Sequence, residues 1–159
     1  MRKLTHKCFV NADWESYQPA GDANIVLASH VVYYFQDKPA AVHKMLDTLS
    51  PEGRALFVVN GNDADYGPLK LAFAEMIGKL YSFTVDELRE TLGDRVVGEH
   101  VVRSELDFES PQKLFEALRL SFDNHPQEYE QHRSAILDYF RTTVSSRHFG
   151  INQVIIEAR

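Results

Sequence analysis

The sequence predicts an α/β fold in which a mixed sheet is flanked by helices. Three observations predict it. Residues 24–30 and 54–60 are short continuous apolar runs, the pattern of strands buried on both faces. Between them Ala41, Met45 and Leu49 recur four apart, the spacing of one helix face. Further on, the pattern turns to helices with capping signals and closes on a valine- and isoleucine-rich strand. Strand, helix, turn and strand make a βαβ unit whose crossover is right-handed. The alternation that follows fits a mixed sheet better than a purely parallel one.

Each element has a local reason. Residues 7–11 (KCFVN) read as a short strand, and residues 17–24 (YQPAGDAN) as a loop broken by Pro19 and Gly21. The run 24–30 is the first buried strand. A helix over 38–49 ends at Ser50-Pro51-Glu52-Gly53, and RALFVVN over 54–60 is the second buried strand. Residues 69–80 form an apolar helix interrupted near Gly78. Thr84-Val85-Asp86-Glu87 is a capping box: the Thr84 hydroxyl accepts from the Glu87 N–H while Glu87 reaches back. That helix runs to Leu92, and Gly93 suits the position after its end. Residues 96–108 hold a valine-rich strand. Ser110 caps a helix through Phe122, Pro126 starts another to Val144, and residues 150–158 form the last strand. Tyr129, Leu137 and Phe140 have core spacing.

Composition narrows the class. The chain has 159 residues, 17 Lys plus Arg against 23 Asp plus Glu, and a net charge of −6. That argues against an electrostatic nucleic-acid binder. With 44% hydrophobic and 25% charged residues it reads as an ordinary globular domain, and its length suits one domain spanning 1–159. No apolar run approaches the roughly 20 residues of a membrane helix, so no membrane partner is expected. The basic start, residues 1–7, has no apolar stretch behind it and is not a secretory signal. Cys8 is the single cysteine, which excludes an intrachain disulfide and a multi-cysteine zinc site. It reads as a small buried residue, and the expected compartment is the cytoplasm. His125 and His132, seven apart, fall on one face of the expected helix, but with no third ligand no metal site is expected. No two glycines have the G-x-G spacing of a phosphate or dinucleotide loop.

Three stretches together resemble the C-terminal half of a class I S-adenosylmethionine-dependent methyltransferase. Asn11-Ala12-Asp13-Trp14 places an acidic residue and an aromatic after a strand. Residues 25–37 (IVLASHVVYYFQD) look like the family's fourth strand and the loop after it. Residues 49–59 (LSPEGRALFVV) look like the turn into the fifth. Their order and spacing match as well as their residue types. Tyr33-Tyr34, Thr84 to Leu88 and Val154 to Ala158 are similar to the histamine N-methyltransferase branch. The resemblance covers residues 7–158 and falls in the family's second half. It implies a partial Rossmann-like methyltransferase fold, of family strand order 3-2-1-4-5-7-6 but lacking strands 1 and 2, with the glycine-rich loop and the ribose-binding acidic residue absent.

The resemblance also implies roles. Asp13 would accept from the adenine amino group and Trp14 would lie against the ring; a helix cap followed by a packed aromatic is the alternative. Backbone groups of Ala28 and Ser29 would face the cofactor's amino-acid end, since ligands of open α/β sheets bind beyond the carboxyl ends of strands. His30 would contact the substrate or act as a weak base, or simply cap its strand. Tyr33 and Tyr34 would wall a cationic sulfonium or amine, or pack as ordinary core. His148 falls in the region that lines the family's substrate pocket. The implied activity is methylation of a small molecule, N-directed, by one displacement that needs no covalent nucleophile. In a truncated form the chain would bind S-adenosylmethionine weakly or not at all. The strand at residues 25–29 would become an apolar edge that invites a homodimer. The alternative is a non-catalytic oligomerising or binding domain derived from the same fold.

Overall fold

The computed structural model describes residues 10–19, 21–79, 83–144 and 147–159. The expected βαβ unit comes first. β1 (Ala23–Ser29) and β2 (Leu49–Ala64) run parallel, with α1 (Lys38–Asp47) crossing between them. The Asp37 side chain accepts from the Ala40 N–H at 2.9 Å and caps α1, while Pro39 sits in the first turn, where a missing N–H costs nothing. Its buried face is Ala41, Val42, Met45 and Leu46. The helix stops at Asp47, two residues before the spacing suggests. The Thr48 hydroxyl donates to the Met45 carbonyl at 2.6 Å, and the Thr48 carbonyl accepts the Ala23 N–H at 2.8 Å, which opens the strand ladder. β2 is longer than residues 54–60 because that ladder starts early. At Gly53 a Cβ would lie 2.6 Å from the Ala23 carbonyl oxygen, so the close approach of the two strands requires glycine.

The rest of the chain is α2 (Tyr66–Ile77), α3 (Val85–Leu92), β3 (Val96–Asp107), α4 (Pro111–Leu118), α5 (Pro126–Gln131), α6 (Arg133–Thr143) and β4 (His148–Ala158). β4 enters between β2 and β3, antiparallel to both, giving the order β1-β2-β4-β3. This is a mixed sheet, and its order is the 4-5-7-6 arrangement that the resemblance implies. α3 carries the expected capping box, with Glu87 N–H donating to Thr84 Oγ1 at 3.3 Å and Thr84 N–H donating to Glu87 Oε2 at 2.6 Å. Gly78 and Gly93 end α2 and α3 at positive φ.

Two apolar cores flank the sheet. On one face Ala55, Phe57, Val59, Val154 and Ile156 meet α1 and α3 through Val42, Met45, Leu88 and Leu92. On the other, Phe149 meets α2, α4, α5 and α6. There the Tyr129 ring stacks between Phe115 and Phe122, with centroids 4.4 and 4.7 Å away, and its hydroxyl donates to the Phe115 carbonyl at 3.0 Å. Tyr129, Leu137 and Phe140 are all buried, as their spacing predicts. Alternation puts Ile25 and Leu27 on this second face, beyond the reach of its helices. They are 68% and 64% exposed. β1 is an outer strand among the described residues.

Some elements differ from the sequence reading. Of the strand expected at 7–11, residues 7–9, Cys8 among them, lie outside the described residues, and Val10 and Asn11 belong to no strand. The helix expected from Ser110 to Phe122 tightens into a 3-10 turn after Leu118. The helix expected from Pro126 to Val144 is two, stepping at His132, so His125 and His132 do not share a helix face. Among the described residues no helix is long and apolar enough to cross a membrane.

Candidate active site

A cavity of about 290 Å³ opens beyond the carboxyl end of β1. The sequence builds its first wall in one pass. His30 N–H donates to the Val58 carbonyl at 2.9 Å, one bond past the end of β1. There the backbone turns at φ 53°, a left-handed value that histidine tolerates better than most residues. Val32, fully buried, seats the following 3-10 turn Val32–Tyr34 in the core. The Tyr33 hydroxyl accepts the Asn60 N–H at 2.6 Å, which ties that turn to β2. The His30 and Tyr33 rings stack with centroids 6.5 Å apart and an interplanar angle of 29°. The Tyr34 hydroxyl donates to the Asp123 carboxylate at 3.4 Å. His30, Tyr33 and Tyr34, picked out in the sequence, therefore line one cavity.

The second wall follows no motif in the sequence. Lys70 projects from α2 with its Nζ 5.3 Å from the centroid of Tyr33 and 5.7 Å from that of Tyr66. Asn60 and Gln153, register partners on β2 and β4, complete the polar lining. Gln153 Nε2 lies 3.5 Å from His30 Nε2. The one sequence signal was a tyrosine and a lysine four apart on a helix that is otherwise largely apolar.

Burial sets the charges of this site. It holds His30 below the ordinary histidine value, helped by the Lys70 charge. Burial also lowers Lys70 to about 8, and pushes Tyr33 and Tyr66 up to about 12. Near neutral pH the cavity thus presents a neutral imidazole able to accept a proton, one ammonium and the three neutral phenols of Tyr33, Tyr34 and Tyr66.

The other sequence candidates lie elsewhere. Asp13 lines a neighbouring depression with Glu15, Tyr34, Phe35 and Gln36. Trp14 packs against the first core, its Nε1–H donating to the Ala41 carbonyl at 3.4 Å and the Lys44 ammonium 5.2 Å from its ring. Ala28 is buried in that core, and Ser29 is exposed on the opposite sheet face. His148 pairs with Asp107 across β3 and β4, its Nδ1 2.5 Å from the carboxylate, and does not line the cavity. Among the described residues no group of three or more His, Cys, Asp or Glu could hold a metal ion.

The fold is that of the class I S-adenosylmethionine-dependent methyltransferases. No family model matches the chain. A curated relative is the malonyl-(acyl-carrier protein) O-methyltransferase of Prosthecochloris aestuarii. It is 26% identical over 145 residues, covering 87% of this chain and 52% of the relative. The chain therefore spans about half the length of the curated relative it matches. Among solved structures, the YcgJ protein of Bacillus subtilis superposes with a TM-score of 0.59 at 13% identity, over 92% of this chain and 68% of that one. A Bacillus halodurans protein assigned as a methyltransferase gives 0.55 at 16% identity, over 93% and 69%. The 4+2 cyclase SpnF gives 0.53 at 15% identity, over 93% and 53%. One fold thus carries methyl transfer and a cyclisation, and the fold alone does not fix the reaction.

The residues present supply only part of a cradle for S-adenosylmethionine. The Trp14 ring is engaged by Ala41 and Lys44.

Proposed function

We propose that this chain carries the acceptor pocket of an S-adenosylmethionine-dependent methyltransferase acting on a small molecule. The observation that carries the reading is the convergence of His30, Tyr33 and Tyr34 at the carboxyl end of β1, where open α/β sheets bind their ligands. His30, neutral near pH 7, would take the proton that the acceptor atom loses. The fold and the curated relative support methyl transfer. The acceptor atom has two readings. Similarity to the histamine N-methyltransferase branch points to nitrogen, and the relative's own activity points to oxygen.

The test is a titration of the isotope-labelled protein with S-adenosylhomocysteine, read by NMR and calorimetry. Because the Trp14 ring is already engaged in packing, the expected dissociation constant is weaker than about 10 μM, with shifts centred on Asp13, Ser29 and His30. A folded sample whose spectrum stays unchanged at millimolar ligand removes the methyltransferase reading for this chain.

A second reading, a non-catalytic oligomerising domain of the same fold, is favoured by one observation: among the described residues β1 is an outer strand, with Ile25 and Leu27 exposed. In this reading a second copy pairs along residues 25–29. Light scattering over a concentration series separates the two, since a monomer at every concentration removes the oligomerising one.

A further inference from the structure

We infer that the cavity takes a molecule bearing a single carboxylate, and that Lys70 is the residue that holds this group. The inference rests on reading the cavity as an acceptor pocket and adds the chemistry of what enters it.

Lys70 belongs to a helix whose neighbouring positions are built for burial: Tyr66, Leu69, Phe73 and Ala74 all lie in the core. Its ammonium sits between the Tyr33 and Tyr66 rings, at 5.3 and 5.7 Å from their centroids. Ring faces return part of the hydration a buried cation loses, and an anion placed in the cavity returns more. The lining has the sign such a ligand needs. Among the described residues around the cavity, Lys70 is the one lysine or arginine, and none is an aspartate or glutamate. Asn60 and Gln153 add neutral amide donors from adjacent strands.

One ammonium with amide donors matches a monoanion. A phosphate dianion asks for further cationic or helix-terminal donors, which this wall does not present. A protonated amine would meet like charge. Leu120, Ile151 and the tyrosine faces suit a short carbon skeleton behind the carboxylate.

Among the described residues that line the cavity, the titratable groups facing Lys70 come from three places. His30 follows β1, Tyr33 and Tyr34 come from the 3-10 turn, and Tyr66 lies on α2 itself, while β2 and β4 contribute uncharged side chains. Asp123 lies behind the Tyr34 hydroxyl. Tyr33 and Tyr66 stay neutral up to about 12, and His30 is already neutral above its lowered value. Lys70, lowered to about 8, is therefore the facing group whose charge changes just above neutrality.

The test uses the 159-residue protein and four probes: monoethyl malonate, its neutral diethyl ester, propylamine and inorganic phosphate. Binding is followed by NMR shifts of Lys70, Tyr33 and His30. The monoester is expected to saturate these shifts near pH 7, with the diester, the amine and phosphate each at least about tenfold weaker. Its affinity should fall by about tenfold or more towards pH 9.5 as Lys70 loses its proton. Lys70→Met should remove the binding, and Lys70→Arg should retain it. A diester, amine or phosphate that binds as well as the monoester overturns the inference, as does a Lys70→Met protein with unchanged affinity. The probe comparison on the unmodified chain keeps the test decisive even if the variant fails to fold. Monoester binding without any response to S-adenosylhomocysteine removes the methyltransferase reading and leaves the Lys70 site standing. A response to S-adenosylhomocysteine without monoester binding does the reverse.

Discussion

Lys70 falls from the ordinary lysine value of 10.5 to about 8 because burial disfavours its charge. The unfolded chain keeps that proton up to about 10.5, whereas the folded chain releases it at about 8. Between those values the unfolded state binds more protons, so stability rises with pH through this window. Below it the full cost of burying the ammonium is present, on the order of 3 kcal/mol for a shift of this size. Lys70→Met is therefore expected to stabilise the protein near pH 7, by about 1–3 kcal/mol, and to flatten the rise between pH 8 and 10.5. Urea denaturation across a pH series measures both. A residue that weakens the fold at its working pH is what a binding role leaves behind. His30 is strained in a different way, by its backbone at φ 53°. His30→Asn should keep the left-handed turn, while His30→Val should cost about 1–3 kcal/mol by the same denaturation measurement. The sequence exposed His30, Tyr33 and Tyr34 because they follow one apolar run without interruption. It hid Lys70, which reaches the same cavity from a helix far along the chain, through a contact that no local pattern encodes.

Elements were legible where their signals are local. The Thr84 box, the Gly78 and Gly93 ends, the Ser110 cap and the core spacing of Tyr129 all depend on residues within a turn or two, and the structure has each of them. Thr84→Ala is expected to cost about 1 kcal/mol, read as a lower midpoint in thermal unfolding. Boundaries set by distant partners were not legible. α1 stops early because the Thr48 carbonyl is taken by Ala23, and β2 starts early for the same reason. Gly67 shows how tight such approaches become: a Cβ there would sit 2.1 Å from the Asn62 backbone. Gly67→Ala should therefore destabilise the protein by about 2–3 kcal/mol, well beyond the Thr84 variant in the same assay.

Across the whole molecule the order of the strands could not come from periodicity, because period and burial say which strands exist and not which ones pair. The resemblance supplied that order, and the hydrogen-bonded ladder agrees with it. Among the described residues the ladder leaves β1 on the outside, with Ile25 and Leu27 exposed. If a second copy pairs there, replacing both residues by lysine should abolish association in sedimentation measurements and leave the helical signal in circular dichroism intact.

The insertion of β4 between β2 and β3 also orders events in time. Val59 meets Val154 across 95 positions of chain, and among the described residues β3 touches the rest of the sheet only through β4. The βαβ unit can assemble from near neighbours, but the two parts of the sheet share no ladder until the last segment arrives. Loop closure of that span has to precede most of the pairing that rewards it, which makes this the slow step of folding. Until then β2 has a second unpaired side, open to pairing with a neighbouring chain.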